Sequence, residues 1–458
     1  MGSSPVGHRA FFVSALRCHL AACRRLLPFR MCVTYSAYQT RLPHLAVSAK
    51  LHPPPGTKAP LVAMEKHTNL THNQHFISQA EQRMNSCSDK PEAKKAKIYK
   101  FTVDETQPLT VHLQNKATIE SNLAFQDLFT IMRTNDNKRV NLEALFNRYE
   151  TDYAESAKSI IEAISMERSG PGSATIQLTE ELQAHPNHSP TIDLIKRIYR
   201  HKILVGARNP LRVKETLNRF QDSLDHSVAD MDALALHLAL EGKDPREERH
   251  ICETYKLSRC DYRRWIRLLI LLLYRKGDGE TILDGFVDEF FNAKDYFTLV
   301  RVHSFKEGCA LLPDTGVVTD AVDGGIVTYM NVSKHCIIAV VHKKIETPVF
   351  DALCRSRKLS SRGRSELIDS LASNVQTRLV LDDRATLEGY NKICVKACVS
   401  EVFSGAKEAP GIRVVEKRKT VSVVAHPMDD VSSAAPWFDS HANNPNRCVW
   451  RMHVPPAP

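Results

Sequence analysis

The first 64 residues contain no Asp or Glu, and that absence explains most of the chain's charge. Eight basic residues fall there (Arg9, Arg17, Arg24, Arg25, Arg30, Arg41, Lys50 and Lys58), and taking them from the net +10 leaves +2 for everything after Met64. A body so close to neutrality lacks the basic face of a general nucleic-acid binder. Long hydrophobic runs are missing too. The longest aliphatic stretch, Leu268 to Leu273 between Arg267 and Arg275, falls far short of the roughly 18 apolar residues that cross a bilayer, so it reads as a buried helix. The twelve cysteines include no Cys-x-x-Cys pair and no zinc-knuckle spacing. They read as reduced thiols serving as small apolar side chains, which places the domain in the cytoplasm. The chain also lacks a Gly-rich phosphate loop ending in Lys-Ser/Thr, a dinucleotide fingerprint, a Gly-x-Ser-x-Gly elbow and a His-Glu-x-x-His pair.

What remains is an ordinary globular composition, 43% hydrophobic and 25% charged, over a length that supports a sizeable core. Residues 1–63 are basic, rich in Ser and closed by Pro53-Pro54-Pro55-Gly56. They read as a transit peptide or as a spurious or disordered extension, and stand outside the fold. Residues 64–405 form one domain. Residues 406–458 are a C-terminal extension with a strand-like piece at Thr420–Val424, largely loose after 426.

Tyr99, Phe101 and Val103 alternate with Lys100 and Thr102, which predicts an N-terminal strand at 98–103. From Asn141 the period changes. Leu142, Leu145, Phe146, Tyr149, Tyr153, Ile160, Ile161 and Ile164 follow the spacing of an amphipathic helix, which Ser169-Gly-Pro-Gly172 ends. Pro190-Thr191 opens another, carrying Ile192, Ile195, Ile198 and Tyr199, and further helices are expected at about 210–222, 228–241, 245–256 and 260–275. Strand-like segments cluster around 297–342, with turns at Asp314-Thr-Gly316 and Asp323-Gly-Gly325. A last helix runs from about Asp383 to Phe403. The expected fold is α+β and predominantly helical, with one small sheet from strands around 297–342 and the N-terminal strand at 98–103.

Four constellations could carry chemistry. In His72-Asn-Gln-His75-Phe-Ile-Ser-Gln79-Ala-Glu-Gln-Arg83, the four-residue steps from His75 to Gln79 to Arg83 would stack an imidazole, an amide and a guanidinium on one helix face. Such a face grips phosphate or carboxylate, or is simply a structural polar face; with His67 it can also be drawn as a metal site. Glu120, Asp127, Glu143 and Glu150 could hold a divalent cation, Glu143 and Glu150 being two helical turns apart, although solvated carboxylates explain them equally. Arg208-Asn209-Pro210 reads as an N-cap followed by proline in the first turn, with Arg208 placed to help hold an anion at the helix start. Asp314, in a strand-to-strand turn, either caps its own backbone or borders a site.

Taken in order, these motifs resemble the family called domain of unknown function 4238. His75-Phe-Ile-Ser-Gln79 with Arg83 is similar to its opening motif, although Ser78 replaces the usual Pro and Asn85 an aromatic. Arg208-Asn-Pro210 is similar to its Arg-x-Pro step, and Leu312-Pro-Asp314 to a degraded Ser-Asp-x-Pro turn. Met330-Asn-Val-Ser333 stands where the family has a short Pro-Leu-Ser stretch, and Tyr390-Asn391 through Ala397 resembles its closing helix. The likeness spans about Asn73 to Gly405 and implies a domain outline without catalytic residues.

The leading expectation is therefore a pocket for an anionic, phosphate-bearing or nucleotide-like ligand. His75, Gln79, Arg83 and Arg208 are its gripping groups and Asp314 is a neighbour; no metal and no cofactor is assigned. The alternatives are a divalent-metal-dependent nuclease built on the acidic set, and a non-catalytic interaction or sensing module with a protein partner.

Overall fold

The computed structural model describes residues 71–416, apart from 89, 133–138, 171–175, 177, 222–230, 275–278, 323 and 346. The expected N-terminal extension and the strand-like Thr420–Val424 lie outside the described residues.

The chain opens with β1 (Asn73–His75) and the short helix α1 (Gln79–Met84). Ser78 is the N-cap of α1: its hydroxyl accepts from the Glu81 amide, which starts the helix after His75 rather than before it. Small strands follow, β2 (Lys97–Val103), β3 (Thr110–Leu113), β4 (Ala117–Thr118), β5 (Ala124–Gln126), β6 (Thr130–Met132) and β7 (Arg139–Asn141). The long helix α2 (Glu143–Ser169) buries Phe146, Tyr149, Tyr153, Ala157, Ile160 and Ile164, the stripe its sequence period requires. After β8 (Gln183–Pro186), Ser189 caps α3 (Pro190–Ala207) with Pro190 in its first turn. Then come α4 (Val213–Arg219), α5 (Met231–Glu241), α6 (Pro245–Tyr255), α7 (Arg259–Leu273) and α8 (Ile282–Phe291). In α7 every residue from Leu268 to Leu273 is buried. Among the described residues no helix is long and apolar enough to cross a membrane.

The C-terminal half holds β9 (Tyr296–Ser304), β10 (Leu312–Pro313), β11 (Val318–Val322), β12 (Gly325–Ser333), β13 (Cys336–Lys344), α9 (Pro348–Ser356), α10 (Ser361–Ala372), β14 (Asn374–Leu381), α11 (Arg384–Ala397), β15 (Glu401–Ser404) and β16 (Arg413–Glu416). A six-stranded sheet runs β11-β12-β13-β9-β14-β8, antiparallel except where β14 lies parallel to β9. A second follows β10-β15-β2-β3-β16, with β4 pairing to β2. Two-stranded sheets join β1 to β5 and β6 to β7.

One expectation falls here. The fold is not predominantly helical with one small sheet: the described residues form 11 helices and four sheets, with 45% of them helical and 25% in strands. Two physical reasons account for the difference. The large sheet is covered on both faces, so β13 is buried at Cys336, Ile337, Ile338, Ala339 and Val340 in succession and shows no alternation. Its adjacent residues still divide. Ile338 joins Val300, Met330 and the helices α2, α3 and α7 in the larger core, whereas Ile337 joins Phe101, Phe305, Tyr390 and Val402 in a second core on the opposite face. Of the remaining strands, β8, β15 and β16 have four residues each, too few for a period to show, and β14, although its burial alternates, pairs with strands far away in sequence.

Candidate functional site

Asn141, just before α2, uses its side-chain oxygen to accept from the Glu143 amide at 2.8 Å. The helix then presents Glu143, Phe146 and Glu150 on one face, three and four residues apart. Onto this face comes Arg208, which closes α3 with its amide on the Leu204 carbonyl. Its side chain is fully buried. Nε donates to the Phe76 carbonyl at 3.1 Å, the guanidinium lies 4.9 Å over the Phe146 ring, and Nη2 lies 2.7 Å from Glu150 Oε1. Nη1 has no hydrogen-bond partner, and neither does the buried Oε1 of Glu143. A fully buried guanidinium thus lies over the ring, pairs with Glu150 and is coupled electrostatically to Glu143.

His75 ends β1 beside Phe76 and joins the same cluster. Its Nε2 lies 3.1 Å from the Ile119 carbonyl. A carbonyl only accepts, so the proton resides on Nε2 and Nδ1 is left as an acceptor. Burial lowers the imidazole's pKa; the Ile119 carbonyl opposes this, Arg208 adds to it, and Glu150 opposes it again. For Glu143, burial pushes the carboxyl up to about 7, with Arg208 opposing and Glu150 reinforcing. Around pH 7 the cluster therefore combines a carboxyl that is protonated about half the time, a neutral imidazole and a guanidinium with one donor face unused. Glu143 is half-buried and the Glu150 side chain is 26% exposed, which gives the cluster a solvent side.

Deeper lies a second polar group that the sequence reading missed. Lys202 donates to Glu81, whose other oxygen is 3.3 Å from His201 Nε2, and all three side chains are fully buried. Ser78 Oγ is also 3.3 Å from His201 Nε2. Serine, histidine and glutamate in contact suggest a nucleophilic triad, but the geometry rejects it. Such a triad uses opposite ring nitrogens, whereas Ser78 and Glu81 here share one nitrogen in a site closed to solvent. The signal was present in the sequence: Lys202 stands seven residues after Ile195 and four after Ile198, on the apolar face of α3.

The residues singled out from the sequence are only partly brought together. His75 and Arg208 come close enough to couple electrostatically. Gln79 and Arg83 do stack on α1, with Arg83 Nη2 donating to Gln79 Oε1 at 3.1 Å, but Nη1 of Arg83 is used on the Pro91 and Ala93 carbonyls. His75 is on a strand and not on that helix face. Asp314 caps backbone, but not that of its own turn as expected: its carboxylate accepts from the distant amides of Val399, Ser400 and Glu401 at 2.8, 2.8 and 2.9 Å. Asn209 caps the turn Pro210–Arg212 as expected, and its Nδ2 donates to the Asp314 carbonyl at 2.7 Å. The acidic set divides. Asp127 pairs with Arg139, Glu120 lies 3.8 Å from Lys94, and Glu143 and Glu150 stay with Arg208. Among the described residues no three His, Cys, Asp or Glu side chains are grouped to hold a metal ion. A cavity of about 310 Å³ lies elsewhere, lined by Pro245, Arg249, Cys252, Glu253, Leu257 and Arg259. None of these lining side chains holds a buried polar atom without a partner, so the Arg208 cluster is the stronger candidate despite that volume.

No protein-family model, curated protein or solved structure matches this chain. What the site can do is read from its own side chains.

Proposed function

We propose that the cluster of His75, Glu143, Glu150 and Arg208 binds an anionic, phosphate-bearing ligand. The observation that carries this reading is the unpartnered Nη1 of a fully buried arginine. A buried donor without an acceptor costs about 1–3 kcal/mol, more when charged, and an incoming oxyanion relieves that cost. Glu143, whose buried Oε1 lacks a partner and whose carboxyl is pushed up to about 7, is in its protonated form a second donor for the same oxyanion. Glu150 occupies the other side of the guanidinium and competes with the ligand for it. The eight described cysteines carry free thiols, which supports a cytoplasmic setting where phosphate-bearing metabolites abound.

The test is thermal unfolding with inorganic phosphate and adenosine 5′-monophosphate. A ligand at a hundred times its Kd adds about 2.7 kcal/mol and raises Tm. Arg208→Gln should abolish the rise, and Glu150→Gln, by removing the competing carboxylate, should strengthen binding. A wild-type Tm unmoved by either compound refutes the reading.

A further inference from the structure

We infer that the same site hydrolyses phosphate monoesters, with Glu143 as general acid and His75 as general base on a phosphoryl group held by Arg208. This rests on the ligand reading above and adds a reaction to it.

Three features of the cluster support it. The guanidinium is fixed by the Phe76 carbonyl, the Phe146 ring and Glu150, so its free Nη1 presents a donor in one place, as electrostatic stabilisation of a phosphoryl group requires. Glu143 lies on the same helix face as that ring, its Oε1 without a protein partner, and can deliver a proton to an oxygen leaving the phosphorus. His75 is bound through Nε2 to Ile119 and keeps Nδ1 as its basic atom. The two groups also titrate in directions suited to these roles, the acid raised and the base lowered, as in sites where one environment sustains an acid and a base near neutral pH.

In the step itself, a water oxygen bonds to phosphorus while one of its protons passes to His75 Nδ1. The ester P–O bond breaks, its electron pair stays on the alcohol oxygen, and that oxygen takes the Glu143 proton. The products are inorganic phosphate and an alcohol. The imidazolium and carboxylate then return to their starting states by exchanging a proton through solvent. No oxidant, reductant or second substrate is needed.

The charged groups facing both residues are Arg208 and Glu150, and they set the pH dependence. Activity should fall above about 7 as Glu143 ionises, and again on the acid side below His75's ordinary 6.5.

Two leaving groups test the roles. Adenosine 5′-monophosphate must expel an alkoxide, which needs a proton, whereas p-nitrophenyl phosphate expels a phenolate that does not. Full-length Glu143→Gln should lose about 100-fold or more with the nucleotide and less than about 10-fold with the aryl ester. His75→Asn should lose both, and the melting curves of the variants report whether they fold. Equal losses with the two substrates in Glu143→Gln, or the same nucleotide rate in Glu143→Gln as in wild type, overturn the assignment of the acid. If wild type hydrolyses neither ester while phosphate still raises its Tm, the hydrolytic inference falls and the binding reading stands. If phosphate leaves Tm unchanged as well, both fall.

Discussion

Asp314 and Arg208 show how differently two buried charged residues can be used. Asp314 is almost completely buried, and burial pushes its carboxyl pKa up. The amides of Val399, Ser400 and Glu401 work against that shift, and Glu401's charge adds to it. The hydrogen bonds of its carboxylate serve the turn from α11 into β15. Asp314→Ala should therefore cost about 3 kcal/mol or more in urea unfolding, since bonds to a charged group contribute roughly 1.5–3 kcal/mol each, and should leave phosphate binding unchanged. A loss of phosphate binding without a loss of stability would return Asp314 to the site. Arg208 is also fully buried, yet one of its nitrogens has no partner. Glu81 and Lys202 lie between these extremes: burial raises the Glu81 pKa, but Lys202 and His201 outweigh it and hold the carboxyl low. That pair is complete and structural.

At the scale of elements, the end of α3 is positioned by a close approach. Gly316 adopts a positive φ of +74°, and a Cβ there would lie 2.3 Å from Cγ1 of Val205, one turn before Arg208. Only glycine fits that contact and that backbone at once. Gly316→Ala should cost about 2–4 kcal/mol, combining overpacking with left-handed strain, and should weaken phosphate binding by displacing Arg208. Adding Val205→Ala should recover the steric part but not the backbone part. A Gly316→Ala protein with the wild-type urea midpoint would contradict this packing. The other end of the site is held by α2, whose Arg148 and Tyr149 contact Asp284 and Thr281 at the capping box of α8. The helix presenting Glu143 and Glu150 is thus tied to two others before any ligand arrives.

For the whole molecule, sandwiching the large sheet between two cores decides how stability responds to acid. His303 on β9 and His342 on β13 are buried, the latter stacked between Phe290 and Tyr296, and burial lowers both imidazoles to about 4. His201 shifts the same way. The unfolded chain then binds more protons than the native one between about 4 and 6.5. Stability present above 6.5 is lost as pH falls through that window, on the order of 1–3 kcal/mol per imidazole. Glu143 acts in the opposite sense, because its raised carboxyl gains a proton on folding below about 7. His303 and His342 together outweigh Glu143, so the urea midpoint should drop between pH 7 and pH 5, and His342→Leu should shallow the drop. A midpoint that is level across this range would contradict the balance.

Much of the helical frame was legible in the sequence alone. The stripe from Leu142 to Ile164, the Ser189-Pro190 start of α3 and the Asn209-Pro210 cap all obey local periodicity or local hydrogen bonding, and these act within a few residues. The end of α11 was not legible: periodicity carried the helix to Phe403, but Asp314, from a distant turn, captures the amides of residues 399–401 and makes β15 there. Long-range pairing likewise assembled two six-stranded sheets, many of whose strands are too short or too thoroughly buried for alternation to mark them. The candidate site divides along the same line. His75, Arg208 and the two-turn spacing of Glu143 and Glu150 could be named from residue type and position, but which of them share a guanidinium depended on how α2, α3 and β1 pack. Chemical capacity belongs to the residue and is written locally, whereas proximity is a property of the folded core.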